Sequence, residues 1–141
     1  MTSLGPIGLA SSNPHTDDAA VVADEAQRVE GLGFSTLWRS GNLPMLDAAV
    51  RATTSIPLAT GIIPVDSAPA ADVIATYRSL HADHPGRFIV GLGGAHGARP
   101  LATLNAYLDA LDAAGITAES RVLAGLGPNM LALARDRACG A

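Results

Sequence analysis

Four short stretches hold residue types that could do chemistry. Gly91-Leu92-Gly93-Gly94-Ala95-His96-Gly97 joins glycines, which let a ligand approach the backbone, to an imidazole able to carry a proton. It is not a dinucleotide fingerprint, because a G-x-G-x-x-G begun at Gly91 needs glycine where His96 stands. Gly125-Leu126-Gly127-Pro128-Asn129-Met130 places proline at the first position of a helix. Backbone amides at such a start lack helical partners and sit at the positive end of the dipole, which suits an anion or a phosphate. Trp38-Arg39-Ser40-Gly41 offers a guanidinium for an anionic ligand, and Thr60-Gly61-Ile62-Ile63 offers a hydroxyl beside exposed backbone. Each also has a plain reading: a flexible loop, an ordinary Gly-Pro helix start, a surface arginine, a packed threonine. His81 and His84 have the spacing of metal ligands but no third partner, and histidine near a helix end is favourable without a metal. Cys139 has no spacing to a His-Asp pair, so no metal site or nucleophile is expected.

These stretches must be held by something, and the pattern between them is regular. Apolar runs of strand length alternate with runs of helical period. Strands are expected at 6–10, 34–38, 57–63, 87–92 and 121–126. A first helix opens at Thr16-Asp17-Asp18, with Thr16 as cap and Val21, Val22, Ala26, Val29 and Leu32 inward, and ends at Gly31 and Gly33. Further helices are expected at 43–53 (Leu46, Ala49 and Val50 inward), 70–82 (Val73, Ile74, Tyr77 and Leu80), 101–114 (Leu104, Leu108 and Leu111) and 128–139. Strands alternating with helices imply parallel pairing and right-handed crossovers. The chemical stretches then fall at the carboxyl ends of strands, where both open and closed α/β sheets bind ligands.

Composition narrows the class. The chain has 141 residues, 48% of them apolar and 16% charged, which suits one α/β domain over 1–141 with a sizeable core. All nine basic residues are arginine and the net charge is −4, unlike a nucleic-acid binder. No apolar run is long enough to span a membrane, and Met1-Thr2-Ser3-Leu4-Gly5 lacks the features of a secretory leader. One cysteine forbids an internal disulfide and fits a reducing cytoplasm, the expected location. Five βα units of this length suit a flavodoxin-like doubly wound sheet or part of a (β/α)8 barrel, which is complete at about 250 residues.

Taken together, the stretches resemble a known family. His84-Pro85-Gly86-Arg87-Phe88-Ile89-Val90-Gly91-Leu92-Gly93 is similar to the fourth-strand signature of the bacterial luciferase-like oxidoreductases and monooxygenases. Arg121-Val122-Leu123-Ala124-Gly125-Leu126-Gly127-Pro128-Asn129-Met130-Leu131, with Ala134, Arg137-Ala138 and Gly140-Ala141, resembles their fifth strand and helix. Ala59-Thr60-Gly61-Ile62 resembles the third strand, and Gly31-Leu32-Gly33-Phe34 through Leu37-Trp38 the first helix end and second strand. The nearest resemblance is to the actinobacterial branch that uses coenzyme F420.

The resemblance implies a truncated TIM (β/α)8-type barrel of about five units, matching the N-terminal part of the family fold. It implies coenzyme F420, or alternatively FMN, lying across the carboxyl ends of the strands, and a small-molecule substrate. Gly125, Gly127 and Pro128 would frame the cofactor phosphate, and Thr60, Gly61 and Ile62 would back its ring. Ser40, Gly93 and Gly94 would also meet the cofactor, with His96 and Arg39 as catalytic residues. The implied reaction is hydride transfer to or from an organic substrate, or flavin-dependent oxygen insertion. Arg39-Ser40-Gly41 departs from the acid or histidine usual in the family at the second strand end, and the stretch 94–100 is shorter than in relatives. The chain stops where relatives enter a sixth strand. The alternative is therefore an inactive truncated member that binds a flavin-like cofactor or serves as an oligomerising domain. Its first and fifth strands would be bare edges, so a homo-oligomer joined through them is expected.

Overall fold

The computed structural model describes residues 4–141. Residues 1–3, part of the segment read for a leader, lie outside the described residues. Six strands alternate with five helices: β1 (Gly8–Ala10), α1 (Ala19–Gly31), β2 (Thr36–Arg39), α2 (Leu43–Ala52), β3 (Leu58–Thr60), β4 (Ile63–Pro64), α3 (Ala70–Asp83), β5 (Phe88–Gly93), α4 (Pro100–Ala113), β6 (Arg121–Leu123) and α5 (Pro128–Arg137). A 3-10 turn, Ala118–Ser120, leads into β6.

All strand pairs are parallel, and their order across the sheet follows the chain. β1 pairs β2, β2 pairs β3, β3 pairs β5, and β6 lies on the far side of β5. The short β4 also pairs β5, in line after β3. A doubly wound sheet would reverse direction after its first strand. Sequential order is that of a barrel wall, so the fold is a truncated TIM-type barrel and not a flavodoxin-like sheet.

Alternation along each strand separates two faces. Leu37, Leu58, Phe88, Val90, Leu92 and Leu123 join the inward stripes of the helices, Val22, Ala26, Val29, Leu46, Val50, Val73, Leu80, Leu104, Leu108 and Leu111, in one core. The other face is thinner. Ala59, Ile89 and Val122 are buried there, with Leu4 and Trp38 packed against them. Most expected helical faces are confirmed by burial. Val21 and Leu32 are instead exposed, because Val21 lies on the flank of the stripe and Leu32 is already the C-cap.

The differences from the sequence reading have local causes. Asp18, not Thr16, caps α1. Its carboxylate accepts from the amides of Ala20 and Val21, while the Thr16 hydroxyl accepts from the Asp18 amide one step earlier. The expected third strand divides into β3 and β4 around a cis Gly61–Ile62 peptide. Regular β3–β5 pairing stops at Ala59 opposite Ile89. Beyond it the Thr60 hydroxyl accepts from the Gly91 amide (2.8 Å) and donates to the Gly91 carbonyl (2.9 Å). The strands run so close here that a Cβ on Gly91 would overlap the Thr60 carbonyl. The last helix ends at Arg137 because the chain turns back along β6. The Cys139 amide donates to the Arg121 carbonyl, and the Leu123 amide donates to Gly140. The β6 edge is therefore not bare, contrary to expectation.

Glu30, near the end of α1, ties the α2–β3 connection to the helix. Its carboxylate accepts from the amides of Thr54, Ser55 and Ile56. Burial pushes this carboxyl up, but the hydrogen bonds from Ser55, Ile56 and Thr54 outweigh it and bring it from the ordinary 4.5 to about 2. A carboxyl depressed in the folded state adds stability above its unfolded value, and that stability is lost as pH falls through the folded value. Glu30→Gln should therefore lower stability at neutral pH, and its deficit should shrink between pH 4.5 and about 2. Urea unfolding across that range checks this, and a deficit independent of pH would contradict it. Gly91→Ala should cost about 1–3 kcal/mol through forced separation of β3 and β5. An unchanged unfolding midpoint would show that the strands part freely there.

Candidate functional site

Because every strand runs the same way, all the singled-out stretches share one rim. The chain leaves β1 at Ser11-Ser12-Asn13, β2 at Ser40-Gly41, β3 at Gly61-Ile62, β5 at Gly94-Ala95-His96 and β6 at Ala124-Gly125. The inward positions near this rim are small. A Cβ on Gly93 would lie 3.0 Å from both the Ala124 Cβ and the Ile62 Cδ1, so the residue that stands there has no side chain to spare room for. Gly61 is exposed, its amide donates to the Arg39 carbonyl, and a Cβ on it would lie 3.6 Å from the Trp38 ring. The backbone is open to a ligand at exposed Gly61, whereas Gly93 is closed in by Ala124 and Ile62.

At one side of the rim α5 begins at Gly127, which has no side-chain capping bond, followed by Pro128. A Cβ on Gly127 would meet nothing within 4 Å. An uncapped helix start facing open space has free amide donors and a positive dipole end, which suits a phosphate. Open backbone at Gly61 and the uncapped start of α5 suit a flat ring and a phosphate respectively.

Beneath the rim lies an ionic network that the sequence reading missed. Arg39, whose side chain is 1% exposed, meets Glu25 at 2.6 Å. Its Nη1 also donates to the Ser11 hydroxyl (2.9 Å), and its Nη2 to the Asn13 carbonyl (3.0 Å). The same Glu25 carboxylate accepts from the Ser11 hydroxyl and from both the hydroxyl and the amide of Ser12. Burial pushes the Glu25 carboxyl up. Hydrogen bonds from Ser11 and Ser12, with the charge of Arg39, outweigh burial and leave it below its usual value. One signal was available in the sequence: position 25 lies on α1 between the inward Val22 and Val29, so a charge there must be answered locally.

The structure thus corrects two sequence assignments. Arg39 does not present a catalytic or anion-binding guanidinium to the rim, because Glu25 and the β1 loop occupy it. The Thr60 hydroxyl does not back a ring, because both its donor and its acceptor roles go to Gly91. Other assigned residues do gather at the rim: Ser40, half-buried with no side-chain partner among the described residues, then Gly61, Ile62, Gly93, Gly94, Gly125, Gly127 and Pro128. His96 stands at its outer edge, 83% exposed. Its amide donates to the Asp66 carboxylate at 2.8 Å, and its Nδ1 lies 3.3 Å from the same oxygen. Asp66, also missed, thereby ties the loop after β5 to the loop after β4.

The discounted residues have structural partners. His81 stacks on Tyr77, with ring centroids 5.4 Å apart, and the Cys139 thiol donates to the Arg121 carbonyl. No cluster of three potential metal ligands occurs among the described residues. None of the described helices is long and apolar enough to cross a membrane.

No family model matches the sequence, and no curated protein matches it. Solved structures do match. An F420-dependent secondary alcohol dehydrogenase, in complex with an F420-acetone adduct, superposes with a TM-score of 0.70 at 18% identity, over 94% of this chain and 56% of that one. The coenzyme F420-dependent tetrahydromethanopterin reductase of Methanopyrus kandleri gives 0.63 at 17% identity, over 94% and 53%. The fold is that of part of the TIM-type barrel these two share. A third member of that fold is the oxygenating constituent of 3,6-diketocamphane monooxygenase from Pseudomonas putida, a type II Baeyer-Villiger enzyme in complex with FMN. It gives 0.53 at 18% identity, over 70% of this chain and 31% of that one. The chain spans about half the length of the first two barrels.

Removing one member of a buried ion pair leaves the other charge uncompensated. Glu25→Ala should cost about 3–5 kcal/mol in denaturant unfolding, and Glu25→Ala with Arg39→Met should recover much of it. A loss below about 1 kcal/mol, the range of exposed pairs, would mean that the pair does not hold the β1 loop.

Proposed function

We propose that this chain is the cofactor-cradling part of a luciferase-like oxidoreductase that uses a deazaflavin of the coenzyme F420 type, with FMN as the alternative. The observation that carries this is the rim itself: small residues ending at an uncapped helix start, on a sheet whose strand order is that of a barrel wall. Two neighbours of that fold are named as F420-dependent and one is in complex with FMN.

In this reading Gly127 and the first amides of α5 hold the cofactor phosphate, and Pro128 fixes that turn without needing a donor. Gly61, Ile62, Gly94 and Gly125 would lie nearest the ring, with Gly93 packed beneath them, and the Ser40 hydroxyl is free to donate to it. Bound there, the cofactor supplies the hydride acceptor or donor for an organic substrate. The chain orients the ring and keeps water from its covered face. His96 stands where a proton would be passed at the rim, with Asp66 holding its loop. Arg39 and Thr60 act one layer below, as positioning residues for the β1 loop and for β5. A catalytically silent cofactor binder is the second reading, favoured by Arg39, whose guanidinium is held in an internal ion pair and not offered to a substrate.

Fluorescence titration with coenzyme F420 and, separately, FMN tests the cradle. Saturable binding with a Kd of about micromolar order is expected, weakened about tenfold or more in Gly127→Asp, where a carboxylate would oppose the phosphate. A folded protein that binds neither cofactor would remove the catalytic reading. Binding without substrate turnover would select the silent binder.

A further inference from the structure

Three arginines are buried in this protein: Arg39, Arg87 and Arg121. Two of them meet a carboxylate, Arg39 through Glu25 and Arg121 through Asp112 at 2.8 Å. Arg87, 7% exposed, meets none. Its Nε donates to the Ile56 carbonyl at 2.7 Å, and its Nη2 to the Val50 carbonyl and the Thr53 hydroxyl. Its Nη1 makes no hydrogen bond among the described residues and is not sealed in the core. The carboxylate that acts on it from a distance, Glu30, is already engaged by three amides. A guanidinium withdrawn from water normally has an anion beside it.

Arg87 instead lines a cavity of about 1120 Å³ at the amino ends of the strands, the opposite end of the sheet from the cofactor rim. The same wall carries Arg78, exposed and with no side-chain hydrogen bond or ion pair among the described residues, and His81. Ser55 and Thr117 also line it, their hydroxyls already bonded to Glu30 and Glu119. Glu119 is the one acid in the lining, against two arginines, in a chain whose net charge is −4. The volume is on the scale of pockets that take small organic ligands, about 300–1,000 Å³.

We infer that this cavity is a second binding site, for the phosphate or carboxylate group of a small metabolite, with Arg87 Nη1 and Arg78 as its anion-binding groups. Arg87 supplies a donor fixed by its bonds to Ile56, Val50 and Thr53, and Arg78 meets the anion from the cavity wall. The site does not depend on the cofactor reading, since no residue is shared between the two.

Titration of the isotope-labelled protein with inorganic phosphate and, separately, malonate at constant ionic strength, followed by amide NMR, tests this. Saturable shifts are expected at Gly86, Arg87, Gly115 and Thr117, and the tighter of the two anions identifies the head group. Arg87 also braces the α2–β3 connection, so its replacement is open to misfolding, and the decisive variant is Arg78→Glu. It should weaken binding about tenfold or more, whereas Arg135→Glu, the same charge change on α5, should leave it within about twofold. Shifts that never saturate, shifts confined to residues 125–130, or an Arg78→Glu protein that titrates like the parent would overturn the proposal. Failure of the cofactor reading would show instead as no F420 or FMN binding with the phosphate titration intact.

Discussion

Parallel pairing is the constraint from which the rest of this structure follows. Neighbouring parallel strands cannot be joined by a hairpin, so each must be followed by a crossover, here a helix after nearly every strand. Each crossover covers one face of the sheet and returns the chain to the same starting edge. Both faces of each strand therefore need side chains that avoid water, and every strand delivers its carboxyl end to a single rim. The glycines after β2, β3, β5 and β6 lie far apart in sequence and meet only for this reason. The opposite edge gathers the amino ends with equal necessity, and there the chain places its connections and the unanswered Arg87.

Buried charge does the finer positioning. The Arg39–Glu25 pair joins the end of β2 to α1 and fixes the loop after β1 through Ser11, Ser12 and Asn13. Glu30 does the same at the carboxyl end of α1 through backbone amides. Arg121 joins the start of β6 to α4 through Asp112, and the same Asp112 receives Arg137 from α5. Burial acts upward on the Asp112 carboxyl, and the two arginines bring it below its usual value. Such contacts fix loop geometry more than they add stability, because desolvation offsets much of the attraction.

The elements were legible because their apolar periods were clean. Leu46, Ala49 and Val50 on α2, or Leu104, Leu108 and Leu111 on α4, admit one helical face each, and burial confirms it. What the sequence could not show was which polar atoms would be consumed internally. Arg39 and Thr60 look available when read along the chain. Their partners, Glu25 and Gly91, are fourteen and thirty-one residues away and come into reach only after the sheet forms. The division of the third strand was equally hidden, since 57–63 reads as one apolar run. Strand order was open for a related reason: local pattern specifies a strand, but its neighbour is chosen by packing.

The register of the sheet has a kinetic side. Gly8 lies opposite Thr36, Leu37 opposite Leu58, Leu58 opposite Phe88, and Val90 opposite Arg121. In each case the partner is the strand just before, except that β5 reaches past the short β4 to β3, and no described strand waits for a distant one. Loop-closure entropy is thus met in similar, modest steps and never as one large cost. A chain emerging from the ribosome can add each strand to an edge that already exists, so the order of synthesis and the order of assembly coincide. The return of Cys139 and Gly140 along β6 is the most recent such addition, a template taking up the next segment as soon as it arrives.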